Sequence, residues 1–162
     1  MSRRAQREDH AATPLRIWLR LLTCTNLIES RVRGRFREDF SSTLPRFDML
    51  AQLDMAARES REGLTMGELA RRLLVSNGNL TGLTTRLVKE GLVTRTTSTR
   101  DRRAQRVRLT KAGKRAFDAM ASHHRAWIES IFGDLPGSDA AQLYQLLGGL
   151  KETVQQSKAE QA

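Results

Sequence analysis

Little in this chain supports covalent, metal or redox chemistry. A single cysteine, Cys24, excludes an internal disulfide, and no CxxC or HExxH spacing exists. His123 and His124 are adjacent, so on a helix they diverge by about 100° and cannot share a metal as an i, i+4 pair can. No metal and no cofactor are expected. Phosphate-cradling GxGxxG and Walker patterns are missing, as is a GxSxG elbow, which argues against an enzyme. No apolar run approaches the roughly 18 to 20 residues that span a bilayer. Residues 1–12 lack the apolar core and cleavage site of a signal peptide, so the expected location is the cytoplasm, with no membrane partner.

What the chain has in excess is positive charge. Lys and Arg number 28 against 18 Asp and Glu, a net +10 with a pI near 11.1. Such a surplus calls for a polyanion or an anionic membrane surface. Between Arg86 and Arg115, eleven basic residues face only Glu90 and Asp101, so this segment holds +9 of the +10. The cluster straddles a helix end and a hairpin rather than one face of a long amphipathic helix, which disfavours the membrane surface. With 162 residues, 39% of them hydrophobic, one domain can bury a core without disulfides or metal.

Apolar periodicity predicts a mainly α chain with a small β-hairpin. Residues 1–13 are polar and aperiodic and are expected to form a flexible arm. Ile17, Leu21, Cys24, Ile28, Val32, Phe36 and Phe40 then follow helical spacing, which places Cys24 in a buried stripe as a small hydrophobe. Leu15, Trp18, Leu19 and Leu22 cover a second face, so the first half of this helix needs two partners, one of them another subunit. Pro45 suits the N1 position of a second helix with Phe47, Leu50, Ala51 and Met55 on its face. Thr65-Met66-Gly67-Glu68 fits a capping box and starts a short helix to about Leu74. Ser76 can cap the next helix, which carries Leu80, Leu83, Leu87 and Val88 and stops at Gly91. Leu92–Arg95 and Arg106–Leu109 alternate as hairpin strands around a basic tip. Thr110 can cap a long helix with Phe117, Met120, Ala121, His124, Ile128 and Ile131 on one face, His124 packed and His123 solvated. Pro136-Gly137-Ser138 breaks it before a last helix built on Ala140, Leu143, Leu147, Leu150 and Val154.

Two short helices followed by a basic hairpin make a winged helix-turn-helix, a double-stranded DNA reader. With Leu80, Leu83 and Leu87 inward, Asn77, Asn79, Thr81, Thr85 and Arg86 point outward. Asn and Arg can bond bidentately to adenine and guanine edges, and Thr can offer its hydroxyl or methyl. Ser76 joins this set at the helix start. A polar solvated face is an equally good reading of the helix alone; the basic hairpin behind it shifts the balance to DNA. At the tip, Arg100, Arg102 and Arg103 can enter a minor groove or clamp phosphates, with Asp101 orienting one guanidinium. A sequence-independent architectural DNA-binding protein is the alternative, and competition between specific and random duplex discriminates the two.

The segments Leu64–Ala70, Leu80–Val93, Asp101–Ala104 and Val107–Gly113 together resemble the MarR-type winged-helix transcriptional regulators. The resemblance implies a single domain over 14–162, with dimerisation helices at 14–44 and 110–162 and a DNA-binding lobe at 45–109. It further implies a homodimer, a palindromic operator and repression relieved by a small ligand. The ligand seat it implies, between the first helix, the Pro45 helix and the Thr110 helix, has Trp18, Asn26, Ser30, Arg46 and Phe47 as candidates. Relatives similar in the first helix and over Thr43–Phe47 point to aromatic-acid catabolism, with an aromatic carboxylate or its CoA thioester as effector. Two positions depart from the family pattern: Ser98 stands where many relatives carry Asp, and Leu74 where they carry Gly.

Overall fold

The computed structural model describes residues 3–59, 63–97 and 105–159. Helix α1 runs over Arg3–Phe40, α2 over Leu44–Glu59, α3 over Met66–Leu73, α4 over Asn77–Lys89, α5 over Lys111–Phe132 and α6 over Gly137–Ala159. Three strands, β1 (Leu64–Thr65), β2 (Val93–Thr97) and β3 (Gln105–Leu109), form an antiparallel sheet in the order β1-β3-β2. The chain divides into two compact units, Met1–His124 and Arg125–Ala162.

In the first unit, residues 3–13 are helical, where an irregular arm is expected from their polarity. Ala5, Gln6, Arg7, Glu8, Ala11 and Ala12 are strong helix formers, and Pro14 removes one backbone hydrogen bond without ending α1. Among the described side chains of α1, Val32 and Phe36 are buried. Cys24, expected inside the stripe, is exposed, as is most of the first half of α1 among the described residues of its unit. Leu15, Ile17, Trp18, Leu19 and Leu22 are likewise exposed there.

Helix α2 opens at Leu44, one residue before the expected start, with the Thr43 carbonyl accepting from the Arg46 and Phe47 amides. Pro45 therefore sits in the first turn, where its missing N–H is not needed. Met49, Leu50 and Leu53 from α2 meet Leu69, Leu80, Leu87, Val93 and Val107 in the core. Strand β1 is absent from the sequence expectation; Leu64 pairs with Val107 and Thr65 with Arg106, making three strands of the expected two. The β2–β3 hairpin pairs Val93 with Leu109 through Thr97 with Gln105. Thr110 caps α5 as expected, its Oγ1 accepting from the Gly113 amide at 2.9 Å and donating to the Gly91 carbonyl at 2.7 Å. Asp54 is buried and satisfied by Arg58 (2.8 Å) and Lys114 (3.2 Å).

The second unit contains the end of α5, a break at Pro136 and α6. The Pro136 carbonyl accepts from the Asp139 and Ala140 amides and so starts the last helix. Along α6, Leu143, Leu147, Leu150 and Val154 keep the expected spacing but remain exposed, together with Tyr144 and Leu146.

Candidate nucleic-acid interface

The capping box is complete. The Thr65 amide donates to Glu68 Oε2 at 2.7 Å, and the Glu68 amide donates to Thr65 Oγ1 at 3.2 Å. The Thr65 amide foremost, and the Thr65 hydroxyl donating to the same Oε2 at 2.9 Å, hold the Glu68 carboxyl below the usual carboxylate range, with Arg106 adding to the effect from 3.6 Å. Arg106 also donates to the Gly63 carbonyl at 2.9 Å, tying β3 to the start of the helix pair. Helix α3 closes on Leu74 at φ 54°, a left-handed position, with the Val75 amide donating to the Ala70 carbonyl at 3.2 Å. Ser76 has N-cap backbone geometry, but its hydroxyl makes no capping bond, so it caps α4 by conformation alone.

Helix α4 has one buried row, Leu80, Thr84 and Leu87, with Leu83 half-buried. The Thr84 hydroxyl, fully inside, donates to the Leu80 carbonyl at 2.7 Å. Asn79, Thr81, Thr85 and Arg86 are exposed, as their spacing predicts, and Asn77 opens the helix. A Schellman motif ends α4: Leu92 N–H bonds to the Leu87 carbonyl and Gly91 N–H to that of Val88, with Gly91 at φ 71°. Arg95, on β2, donates to Thr85 Oγ1 at 3.3 Å. It joins the wing's base to the exposed face of α4. Sequence reasoning passed over Arg95 as a site residue because only the strand pairing shows that it returns to that helix. Arg100, Asp101, Arg102 and Arg103 lie outside the described residues.

The five candidates for a ligand seat are not gathered in one place. Trp18, Asn26 and Ser30 are exposed on α1, and twelve residues of helix separate Trp18 from Ser30 by about 18 Å along the axis. Phe47 is buried in an aromatic cluster, 4.9 Å from Phe36, 5.7 Å from Phe117 and 4.7 Å from His124 between ring centroids. Burial in that cluster lowers the His124 pKa, while exposed His123 meets the Phe40 ring edge-on. Arg46 already has a carboxylate: both of its terminal nitrogens bond Glu90, one at 2.7 Å, linking α2 to the end of α4. That bond holds the Glu90 carboxyl below its ordinary range.

A cleft of about 570 Å³ instead opens between α1, the start of α2, the end of α3 and α4. Its walls include Arg33 and Arg37, Leu44, Pro45 and Asp48, and Asn79, Leu83 and Arg86. Partial burial, then the nearby Glu29 charge, push the Asp48 carboxyl up to about 6 against the opposing effect of Arg33. Asp48, Arg33 and Arg37 escaped sequence reasoning because they are charges on three separate helical turns, with no local motif to join them.

Comparison with known proteins agrees with this geometry. A family model described as the MarR family matches residues 43–104. The chain is 31% identical to the transcriptional activatory protein BadR of Rhodopseudomonas palustris over 82% of this chain and 74% of that protein. The solved structure of AbsC, a MarR family transcriptional regulator from Streptomyces coelicolor, superposes with a TM-score of 0.73 at 26% identity, covering 88% of this chain and 95% of that one. The MepR–DNA complex of S. aureus shares the fold, with a TM-score of 0.68 at 17% identity over 83% and 93% of the two chains.

Proposed function

From membership of the MarR family, to which this chain belongs as a DNA-binding transcriptional regulator, we propose a homodimer that reads a palindromic operator and represses until a small ligand releases it. The observation that carries the reading is the exposed row Asn79, Thr81, Thr85 and Arg86 on α4, joined to the wing through Arg95. On this proposal Asn77 and Ser76 belong to the same reading head, and Arg100, Arg102 and Arg103 are assigned minor-groove or phosphate contacts, with Asp101 orienting one guanidinium. Two such heads meet successive major grooves about 10 base pairs apart. The regulated genes on this reading serve aromatic-acid catabolism, with an aromatic carboxylate or its CoA thioester as the effector. No helix among the described residues is long and apolar enough to cross a membrane.

The test begins with a duplex selected from a random pool by the full chain at fixed salt. Arg86→Ala is expected to weaken binding to that duplex by about 1 to 3 kcal/mol and to relax preference at one base pair. Equal binding to selected and random duplex would establish the architectural reading instead. A second reading, activation, is favoured by the name of the Rhodopseudomonas relative. Transcription from a template bearing the selected duplex separates them: added protein lowers the transcript if it represses and raises it if it activates.

A further inference from the structure

We propose that Arg46 is a positioning residue for DNA reading: by binding both carboxylate oxygens of Glu90 it keeps that carboxylate from capturing Arg86, one helical turn earlier on α4, and leaves the Arg86 guanidinium free for a base edge. The proposal rests on the reading of Arg86 given above and assigns a task to an arginine outside the reading face. Glu90 ends α4, and Arg86 stands four residues before it. Side chains at that spacing are neighbours on a helix, so an arginine and a glutamate placed there attract each other. Arg86 is near enough for this to matter. The Arg46 hydrogen bond foremost, then the charges of Arg46 and Arg86, lower the Glu90 carboxyl against the effect of partial burial. Yet Arg86 is exposed and makes no ion pair among the described residues, whereas the two terminal nitrogens of Arg46 each hold one Glu90 oxygen, Nη1 at 2.7 Å.

The start of α2 fixes where Arg46 points. Its amide donates to the Thr43 carbonyl at 3.1 Å, which sets the first turn. Phe47, next along, is buried in the aromatic cluster, so the rotation of the helix is fixed and Arg46 is directed to the end of α4. The Arg46 side chain is only 24% exposed, and its Nε is buried with no hydrogen bond among the described residues. Glu90 is therefore what orients the guanidinium. A fork of two parallel bonds fixes the plane of the carboxylate and offsets its charge, which a lysine ammonium cannot do as fully. Little attraction is then left to draw Arg86 back along its own helix. Without Arg46 the same carboxylate is an unpaired charge one turn away, and a guanidinium drawn to it is withdrawn from the major groove.

The readout is the ratio of affinities of the full chain for the selected duplex and for one changed at the base pair whose preference Arg86→Ala relaxes. Such a ratio cancels the sequence-independent part of any change in charge. In Arg46→Gln the ratio is expected to fall by about threefold or more, with the salt dependence of binding unchanged. In Arg46→Gln/Glu90→Gln it should return to within about twofold of the parent, although the link between α2 and α4 is still missing. A link that merely holds α4 in place requires the opposite: a double variant as impaired as Arg46→Gln overturns the proposal and leaves Arg86 standing as a reader. An unchanged ratio in Arg46→Gln does the same, and a salt slope reduced by about one unit overturns it by placing Arg46 on a phosphate. Should circular dichroism show Arg46→Gln unfolded, Arg46→Lys, which keeps a charge without the fork, takes its place in both variants with the same ordering expected. If Arg86→Ala relaxes no base pair, the reading of Arg86 falls and the proposal with it, an outcome that no result with Arg46 alone imitates.

Discussion

Asp48 is a residue whose ionisation the fold resists. Its carboxyl, ordinarily near 3.8, is pushed up to about 6, mainly by burial and then by Glu29. The folded state therefore holds the proton more tightly than the unfolded chain does. Between those two values stability falls as pH rises; the penalty is absent below about 3.8 and complete above about 6. Solvent screening of a partly exposed carboxyl reduces the linkage to about 1 kcal/mol. Asp48→Asn should accordingly stabilise the protein by that amount at pH 7.5, and the gain should shrink toward zero near pH 4. Urea unfolding of both forms at the two pH values measures it; a gain of equal size at both would assign the effect to something other than ionisation.

At the scale of elements, the turn between α3 and α4 carries a local misfit. Leu74 adopts φ 54° and is 92% exposed, so it occupies a glycine-type position without packing in return. A left-handed conformation costs an L-residue about 1 to 2 kcal/mol, and the entropy of an unfolded glycine takes back part of that. Leu74→Gly is expected to raise the unfolding free energy by about 0.5 to 1 kcal/mol, read from its denaturation midpoint; a lowered midpoint would show that the side chain is held by a neighbour in the assembled protein. Elements of this kind were legible because their determinants lie close in sequence. The Thr65–Glu68 box, the Thr110 cap and the Gly91 stop each involve partners within a few residues, and all stand where the pattern puts them. Strand β1 was not legible, since two residues have no period and their partners Val107 and Arg106 lie far along the chain. The Arg46–Glu90 pair joins residues 44 apart, so sequence spacing gave no sign that this arginine is bonded to an internal carboxylate. The exposure of Asn79, Thr81, Thr85 and Arg86 could be read from the spacing on α4; the cleft under it depends on how three other helices converge.

For the whole molecule, the apolar surface left over is the decisive quantity. In one chain Leu15, Ile17, Trp18, Leu19 and Leu22 of α1, and Leu143, Leu146, Leu147, Leu150 and Val154 of α6, remain between 38% and 65% exposed. Isolated apolar side chains on a surface are ordinary, but two helices with continuous exposed rows mark surfaces that associate. Fully burying an exposed leucine contributes about 1.5 to 3 kcal/mol, so covering these half-exposed rows gives a favourable term to set against the freedom lost on pairing two chains. The periodicity of α1 makes the same demand, because Cys24 lies within a stripe whose other members are apolar and yet is exposed. On the proposed homodimer, pairing would give such rows a partner and set two α4 helices at a fixed separation. Light scattering is therefore expected to give twice the 18.3 kDa chain mass at micromolar concentration. Under those conditions Cys24 should react slowly with an aromatic disulfide reagent, and faster on dilution if the pairing covers α1. A stable monomer would remove the half-site spacing together with the dimer. A stable dimer with fully reactive Cys24 would move the interface away from this part of α1 and leave α6 to carry it.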